Sequence, residues 1–593
     1  MLKPSRRTLS LAALAPLVLG LAAAEAAPTA VRPAGAKAAR SNHPASPPAS
    51  APPTEEQAAA SRLSTAAIAA HVRFLADDLL EGRKPGSRGS SLAVKYLAAQ
   101  LEALGLQPGA RDQGGVPSFL QPVPLVELTA QIPPAIPFWP LSAPITGGPG
   151  PLSLSAGGGT KAELILDPDA HIDLARLDDA ELVFAGYGIT APEYGWDDYK
   201  DSDVRGKVVV LLNFNPPFAG EVNGHRVRLW YGRWDYKFQA AAAHGAAGAL
   251  IVHTEESAGY PWQVLAASAD GARLDLPPRE GEPRMQFQGW VESAAAGKLA
   301  ALGGRELAML TAAAQEKGFR PVSLGVKTRF ALPIARRSFQ SANVIGRLPG
   351  VDPALRDQAV VYTAHHDHLG TVPPVPPATD GIYNGAVDNA SGCATVLAIA
   401  QALAGSKPRR SVLFVFTTAE EQGLLGARWF AQHPPLPPER IAAGLNLDSI
   451  NIWGRTTDLS QLGLGKTSLD AAVAALAAAQ GRSVHGEAFP DRGAFYRSDQ
   501  FELARIGVPV AALRGGPAFE GRPAAWGPAQ LDAWTRTDYH QVTDEFHDQW
   551  DLKGALQDAQ LNLLVGLRIA NADALPTWTA GDEFEAARKK AAR

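Results

Sequence analysis

The chain has 593 residues, with 55 lysines and arginines against 59 aspartates and glutamates, for a formal net charge of −4. That length exceeds one ordinary hydrophobic core and implies two or three domains, and the near balance of charge excludes a general affinity for nucleic acid or another polyanion. A single cysteine, Cys393, excludes an internal disulfide framework and any cysteine-based zinc site.

Residues 1–26 read as an export signal. Lys3, Arg6 and Arg7 precede an apolar run from Leu9 to Ala23, and Ala24-Glu25-Ala26 offers a small-residue cleavage site. Ser5-Arg6-Arg7-Thr8-Leu9 also resembles a twin-arginine signal. The run is too short for a good membrane span, and no later segment is long and apolar enough for one. The expected destination is therefore the periplasm or the exterior, without a stable membrane anchor.

Residues 27–55 are rich in Ala and Pro and lack apolar periodicity, as in a disordered tether. Ser64 can cap a helix from Thr65 to about Leu80, with Ile68, Val72, Leu75 and Leu79 on one face. Glu81 to Gly86 is a turn, and a second helix carries Leu92, Tyr96, Leu97, Leu101 and Leu104 before Gly105. Gln121 to about Leu174 holds short strand-like pieces among Pro and Gly. Residues 182–290 alternate strands (Leu182–Tyr187, Lys207–Leu212, Ala249–Val252) with a helix over Phe238–His244, and read as an inserted β-rich domain. It would interrupt a main domain made of residues 56–181 and 291–580. A helical stretch over Ala294–Ala314 and a strand over Ser341–Arg347 lead into that domain's second part.

There, three short apolar runs each end in residues that bind metals. Ala359–Ala364 is followed by His365-His366-Asp367-His368, Ser411–Thr417 by Thr418-Ala419-Glu420-Glu421, and Gly444–Leu447 by Asp448. Runs apolar on both faces suit buried parallel strands, and Ala390–Ala404 is long enough for a crossover helix. The fold class is α/β, with a mixed, mostly parallel central sheet flanked by helices. Ligands of such a sheet gather beyond the carboxyl ends of its strands. An Ala-rich helix over Leu469–Ala479, a strand over Val508–Leu513 and a helix around Ala555–Asn571 complete the chain.

His365, Asp388, Glu421 and Asp448 offer imidazole and carboxylate donors to hard or borderline divalent ions. His540, in Asp538-Tyr-His-Gln541, is a further candidate. Five protein ligands exceed what one catalytic zinc uses, and fit two ions if a carboxylate bridges them. Of the adjacent Glu420 and Glu421, one can bind metal while the other takes a proton. Asp367, two residues after His365, can orient that imidazole. Singly, each has a plain structural reading, a solvated turn or a packed histidine; the weight lies in three strand ends carrying the same chemistry. His366 and His368 are surplus to the ligand set and read as supporting or structural. Rival motifs fail: Gly465-Lys466-Thr467 lacks the earlier glycine of a phosphate loop, where Ser460 stands, and there is no G-x-S-x-G or H-E-x-x-H.

The blocks Ala364–Gly370, Gly385–Gly392, Thr418–Gly426, Asn446–Asp448, Ser498-Asp499 and Tyr539-His540 together resemble metallopeptidase family 28, the co-catalytic di-zinc aminopeptidase type. The resemblance implies a zinc exopeptidase fold, likened also to phosphorylase/hydrolase-like folds, with residues 182–290 as a protease-associated domain. It implies two zinc ions: His365 and Asp448 on one, Glu421 and His540 on the other, Asp388 bridging. Glu420 would be the general base acting on a metal-bridged hydroxide, and Asp367 would orient His365. Tyr383, Tyr496, Arg497 and Asp499 would contact substrate. Val387 departs from the family pattern, where many members carry a second aspartate. The implied activity is removal of N-terminal residues from peptides or proteins. The same scaffold leaves open a glutaminyl cyclase-like, carboxypeptidase or other amidohydrolase activity, or a non-catalytic receptor-like relative.

Overall fold

The computed structural model describes residues 54–130, 171–222, 224–259, 261–262, 272–374 and 380–591, with two short strand pieces at 141–142 and 154–155. The export signal expected at 1–26 and nearly all of the tether lie outside these residues. The tether's last two belong to a helix: Thr54 caps α1 (Glu55–Ala60) in a reciprocal capping box with Gln57.

Ser64 accepts the Ala67 N–H and opens α2 (Thr65–Leu75), which buries Ile68, Val72 and Leu75. The helix stops one turn before the expected Leu80. The Asp77 carboxylate takes the Leu79 N–H and starts a tight turn over Asp78–Arg83, in which Glu81, Gly82 and Arg83 all have positive φ. Leu79, expected on the apolar face, is consequently 77% exposed. The second helix, α3 (Arg88–Ala103), buries Val94, Leu97 and Leu101.

The Pro-rich region contains a continuous strand, β1 (Leu120–Ala130), paired antiparallel along its whole length with β6 below. Next come β2 (His171–Phe184), β3 (Val208–Leu212), α4 (Trp234–Ala243), β4 (Gly248–His253) and β5 (Phe287–Glu292). These four strands run parallel in the order β2-β3-β4-β5. Their core extends to Val326 and takes in α5 (Ser293–Leu302) and α6 (Leu307–Ala313), beyond the boundary expected at 290. The reason is β6 (Val322–Leu348), a 27-residue strand that pairs with β2 and with the main sheet, so one sheet carries both cores.

The main sheet continues with β7 (Ala359–His365), α7 (Ser391–Leu403), β8 (Ser411–Thr417), β9 (Ile441–Asn446), β10 (Asp458–Leu462), α8 (Leu469–Ala479), β11 (Ser483–His485) and β12 (Val510–Gly515). Its strand order is β11-β10-β12-β9-β7-β8-β6. β8, β7, β9 and β12 are mutually parallel, while β6 and β10 pair antiparallel to them. Every residue of β7, β8 and β9 is buried, as expected of strands covered on both faces. One face is covered by α1–α3, α7, α8 and α10 (Lys553–Asn571, which follows α9, Trp526–Thr537). α10 lies so close that a Cβ on Gly566 would sit 1.8 Å from the Tyr362 hydroxyl, which donates to the Asn562 carbonyl. Among the described residues no helix is long and apolar enough to cross a membrane.

Candidate metal centre

The parallel register levels the strand ends: His365 of β7 lies opposite Thr417 of β8, and Thr363 opposite Asn446 of β9. The residues just beyond, His365, Glu420, Glu421 and Asp448, therefore share one rim. α7 comes down beside them and sets Asp388 in the irregular turn before its first residue. His540 arrives from the far end of the chain, after α9. Three non-glycine residues with positive φ mark these segments: Ala419 (56°), Ser449 (68°) and His540 itself (58°). Such backbone is uncommon outside glycine and clusters where function demands a particular side-chain direction.

The donors form two sets that share one carboxylate. Nε2 of His365 lies 3.2 Å from Oδ1 of Asp388 and 3.3 Å from Oδ1 of Asp448. Nε2 of His540 lies 3.1 Å from Oδ2 of Asp388 and 3.1 Å from Oε2 of Glu421. Asp388 thus presents one oxygen to each histidine. Two ligand atoms each ~2.0–2.1 Å from a tetrahedral zinc are separated by ~3.3 Å, so the observed spacings fit the edges of such a polyhedron. The donors are all imidazole nitrogen and carboxylate oxygen, the set that zinc and similar divalent ions take.

Electrostatics point the same way. Asp367, Asp388, Glu420, Glu421, Asp448 and Asp499 crowd around the two imidazoles. Burial alone would depress His365, but Glu420, Asp388 and Asp448 push it well above its ordinary value. His540 is raised to about 10, burial being outweighed by Glu421 and Asp388. Burial would raise Asp388, yet His365 and His540 draw it well below the usual range. A pocket this rich in negative charge is stabilised by cations.

Glu420 stands beside the His365 set, its Oε2 4.0 Å from Nε2. Burial first, then the Asp448, Glu421 and Asp499 charges working against the pull of His365, raise its carboxyl well above the ordinary range. Asp367 stands between His365 and the Glu420 segment. Its side chain is 3.9 Å from His365 Nδ1, whereas its main-chain carbonyl is 3.3 Å from that nitrogen. The carboxylate accepts the Glu420 N–H at 3.1 Å, so Asp367 holds the segment that carries Glu420.

Two supporting residues escaped the sequence reading. Asp544, four residues after His540, accepts the Val387 and Asp388 N–H groups at 2.9 and 3.0 Å, and its carbonyl takes the Ala386 N–H. It thereby ties the His540 segment to the turn that carries Asp388. Burial pushes its carboxyl up to about 6 against the pull of those amides. Arg83, assigned only to a turn, is buried and donates to the carbonyls of Leu75, His366, Asn384 and Gly385. It joins the loops on either side of the centre. Cys393 is packed, its thiol donating to the His365 carbonyl.

The expected substrate contacts separate. Tyr383 is half-buried on a two-residue strand paired with Gly370, just after His368, and Arg497 is exposed, its charge felt by Tyr539. Tyr496 and Asp499 are both buried, and Asp499 lies close enough to the centre to feel the His365 charge and to act on Glu420. The Tyr496 hydroxyl donates to Glu583 at 2.6 Å, and Asp499, fully buried, accepts from the Thr417 hydroxyl. Two aromatic and helical segments, Ala494–Tyr496 and Gln500–Arg505, bury them against the second face of the sheet.

The fold and donors together make a candidate divalent-metal centre on the carboxyl rim of an α/β sheet. Residues 343–564 match the model of Peptidase family M28. The chain is similar to the vacuolar membrane protease of Candida albicans (strain WO-1), 30% identical over 117 residues, which are 20% of this chain and 12% of that protein. A vacuolar membrane protease of Lachancea thermotolerans is 31% identical over 160 residues, 26% of this chain and 14% of the relative. The chain thus spans only 12% to 14% of the length of these curated relatives. Among solved structures, an aminopeptidase from Aneurinibacillus sp. strain AM-1 is 19% identical, with 88% of this chain and 97% of that one covered and a TM-score of 0.46. BSAP, a zinc aminopeptidase from Bacillus subtilis, is 18% identical, with 85% and 96% covered and a TM-score of 0.37.

Proposed function

We propose that the protein is an exported zinc-dependent aminopeptidase that holds two zinc ions and hydrolyses N-terminal peptide bonds, with residues 182–290 forming a protease-associated insert. The observation that carries this reading is the division of Asp388 between two histidine-centred donor sets, with an unliganded glutamate alongside. His365 and Asp448 would hold one ion, Glu421 and His540 the other, and Asp388 both. Bound there, the ions supply Lewis acidity toward a scissile carbonyl and lower the pKa of a coordinated water.

The chain's own residues do the rest. Glu420 takes a proton on its carboxylate and returns it to the leaving amine. Asp367 holds Glu420 by its amide, and Asp544 and Arg83 hold the ligand loops, so the donors need no rearrangement during turnover. Tyr383 and Arg497 border the centre as candidate substrate contacts.

The test is a panel of aminoacyl p-nitroanilides and their N-acetylated counterparts with zinc-loaded protein. Release from the free-amine series and silence from the acetylated series is the expected outcome. Cleavage only of blocked or C-terminal amide substrates would replace this reading with an amidohydrolase or carboxypeptidase. Cyclisation of N-terminal glutamine with one ion bound would replace it with a cyclase.

A further inference from the structure

His368 lies outside the ligand set yet touches a ligand. Its Nδ1 is 2.6 Å from Oε1 of Glu421, while the other oxygen, Oε2, is 3.1 Å from Nε2 of His540. Each oxygen of Glu421 therefore has its own histidine. An ionised carboxylate can only accept, so the contact places the His368 proton on Nδ1.

The ring has little freedom. His368 is fully buried, and its centroid lies 5.7 Å from that of His540 with the planes at 71°. Gly385 (φ +56°) packs against it so closely that a Cβ there would be 2.6 Å from its Cγ and Cδ2. A fixed donor thus meets a fixed oxygen. Without it, the Glu421 carboxylate could rotate and exchange its two oxygens before His540.

We propose that His368 is a positioning residue that pins Oε1 of Glu421, so that Oε2 alone faces the cation shared with His540, and that it sets the affinity of that site without setting that of the His365–Asp448 site. The inference rests on the two-ion reading above. Hydrogen bonds that orient a ligand change metal affinity by about 10–100-fold when removed.

The test uses two conservative variants. His368→Asn keeps an N–H donor near the position of Nδ1; His368→Gln moves it toward that of Nε2. Zinc binding to the metal-free full-length chain is titrated against a chromophoric chelator, with metal-free melting read in parallel. The expected result is two classes of site in the wild type. His368→Gln weakens one class by about 10–100-fold and leaves the other unchanged, while His368→Asn stays within about 3-fold of wild type at both. Equal behaviour of the two variants, or weakening of both classes together, overturns the proposal. A wild-type chain that binds one ion overturns the two-ion reading and this inference with it.

Discussion

Asp544→Ala removes a carboxylate whose two oxygens accept main-chain amides, so it isolates the backbone support of the centre. Asp544 is 2% exposed, and its two oxygens take the Val387 and Asp388 amides at 2.9 and 3.0 Å. Each buried donor left without a partner costs about 1–3 kcal/mol, giving about 2–6 kcal/mol for the pair. The loss falls on the turn that aims Asp388 at both His365 and His540. Metal-free stability should drop by that amount in a denaturant titration, and both zinc affinities should fall together, in contrast to the one-site effect at His368. Asp544→Asn, which keeps one acceptor, should lie between. An Asp544→Ala chain with wild-type stability and wild-type affinities would refute the argument that this clamp sets the geometry of Asp388.

Glu420→Gln should keep its metals and lose turnover by about 10²–10⁴-fold, read by metal content beside steady-state kinetics; unchanged turnover removes Glu420 as the base. Arg83→Met removes the donor to four main-chain carbonyls, of which Gly385 keeps the Ala390 N–H, and should cost at least about 3 kcal/mol, with metal content falling as the two loops loosen. Gly566→Ala drives a methyl into the Tyr362 hydroxyl and should destabilise by about 1–3 kcal/mol, partly relieved by adding Tyr362→Phe; no relief would place the strain elsewhere. In the second core, burial raises the Asp198 carboxyl from 3.8 to about 6, against the pull of the Ile189 and Trp196 N–H groups. The folded chain holds that proton more tightly than the unfolded one, so stability from this group is present below about pH 4 and lost as pH rises through about 6, to the extent of about 3 kcal/mol. Wild type minus Asp198→Asn, compared at pH 4 and pH 7, should show that slope; parallel curves would contradict it.

The parts of the molecule readable in the sequence are those where one local pattern carries the whole signal. β7 and β8 fall where the apolar runs at Ala359–Ala364 and Ser411–Thr417 fall, and β9 begins three residues before the run read at Gly444–Leu447. α8 matches its Ala-rich stretch residue for residue, from Leu469 to Ala479. What escaped depends on partners distant in the chain. Asp544 and Arg83 act through main-chain amides and carbonyls, which carry no residue-type signature, and His368 matters because of a glutamate 53 positions later. The end of α2 was misplaced because Asp77, an ordinary surface residue by type, captures an amide and bends the chain, exposing Leu79. The second core reaches past residue 290 because the strand legible at Ser341–Arg347 is the last part of the long β6 ladder that spans both cores.

The central claim is that Asp388 is shared by two metal ions, and metal content decides it most directly. Elemental analysis of the zinc-equilibrated, desalted chain should give two zincs per molecule, with Asp388→Ala losing both while the folded protein persists. One zinc per chain in the wild type, or an Asp388→Ala protein that keeps its full complement, would contradict the account.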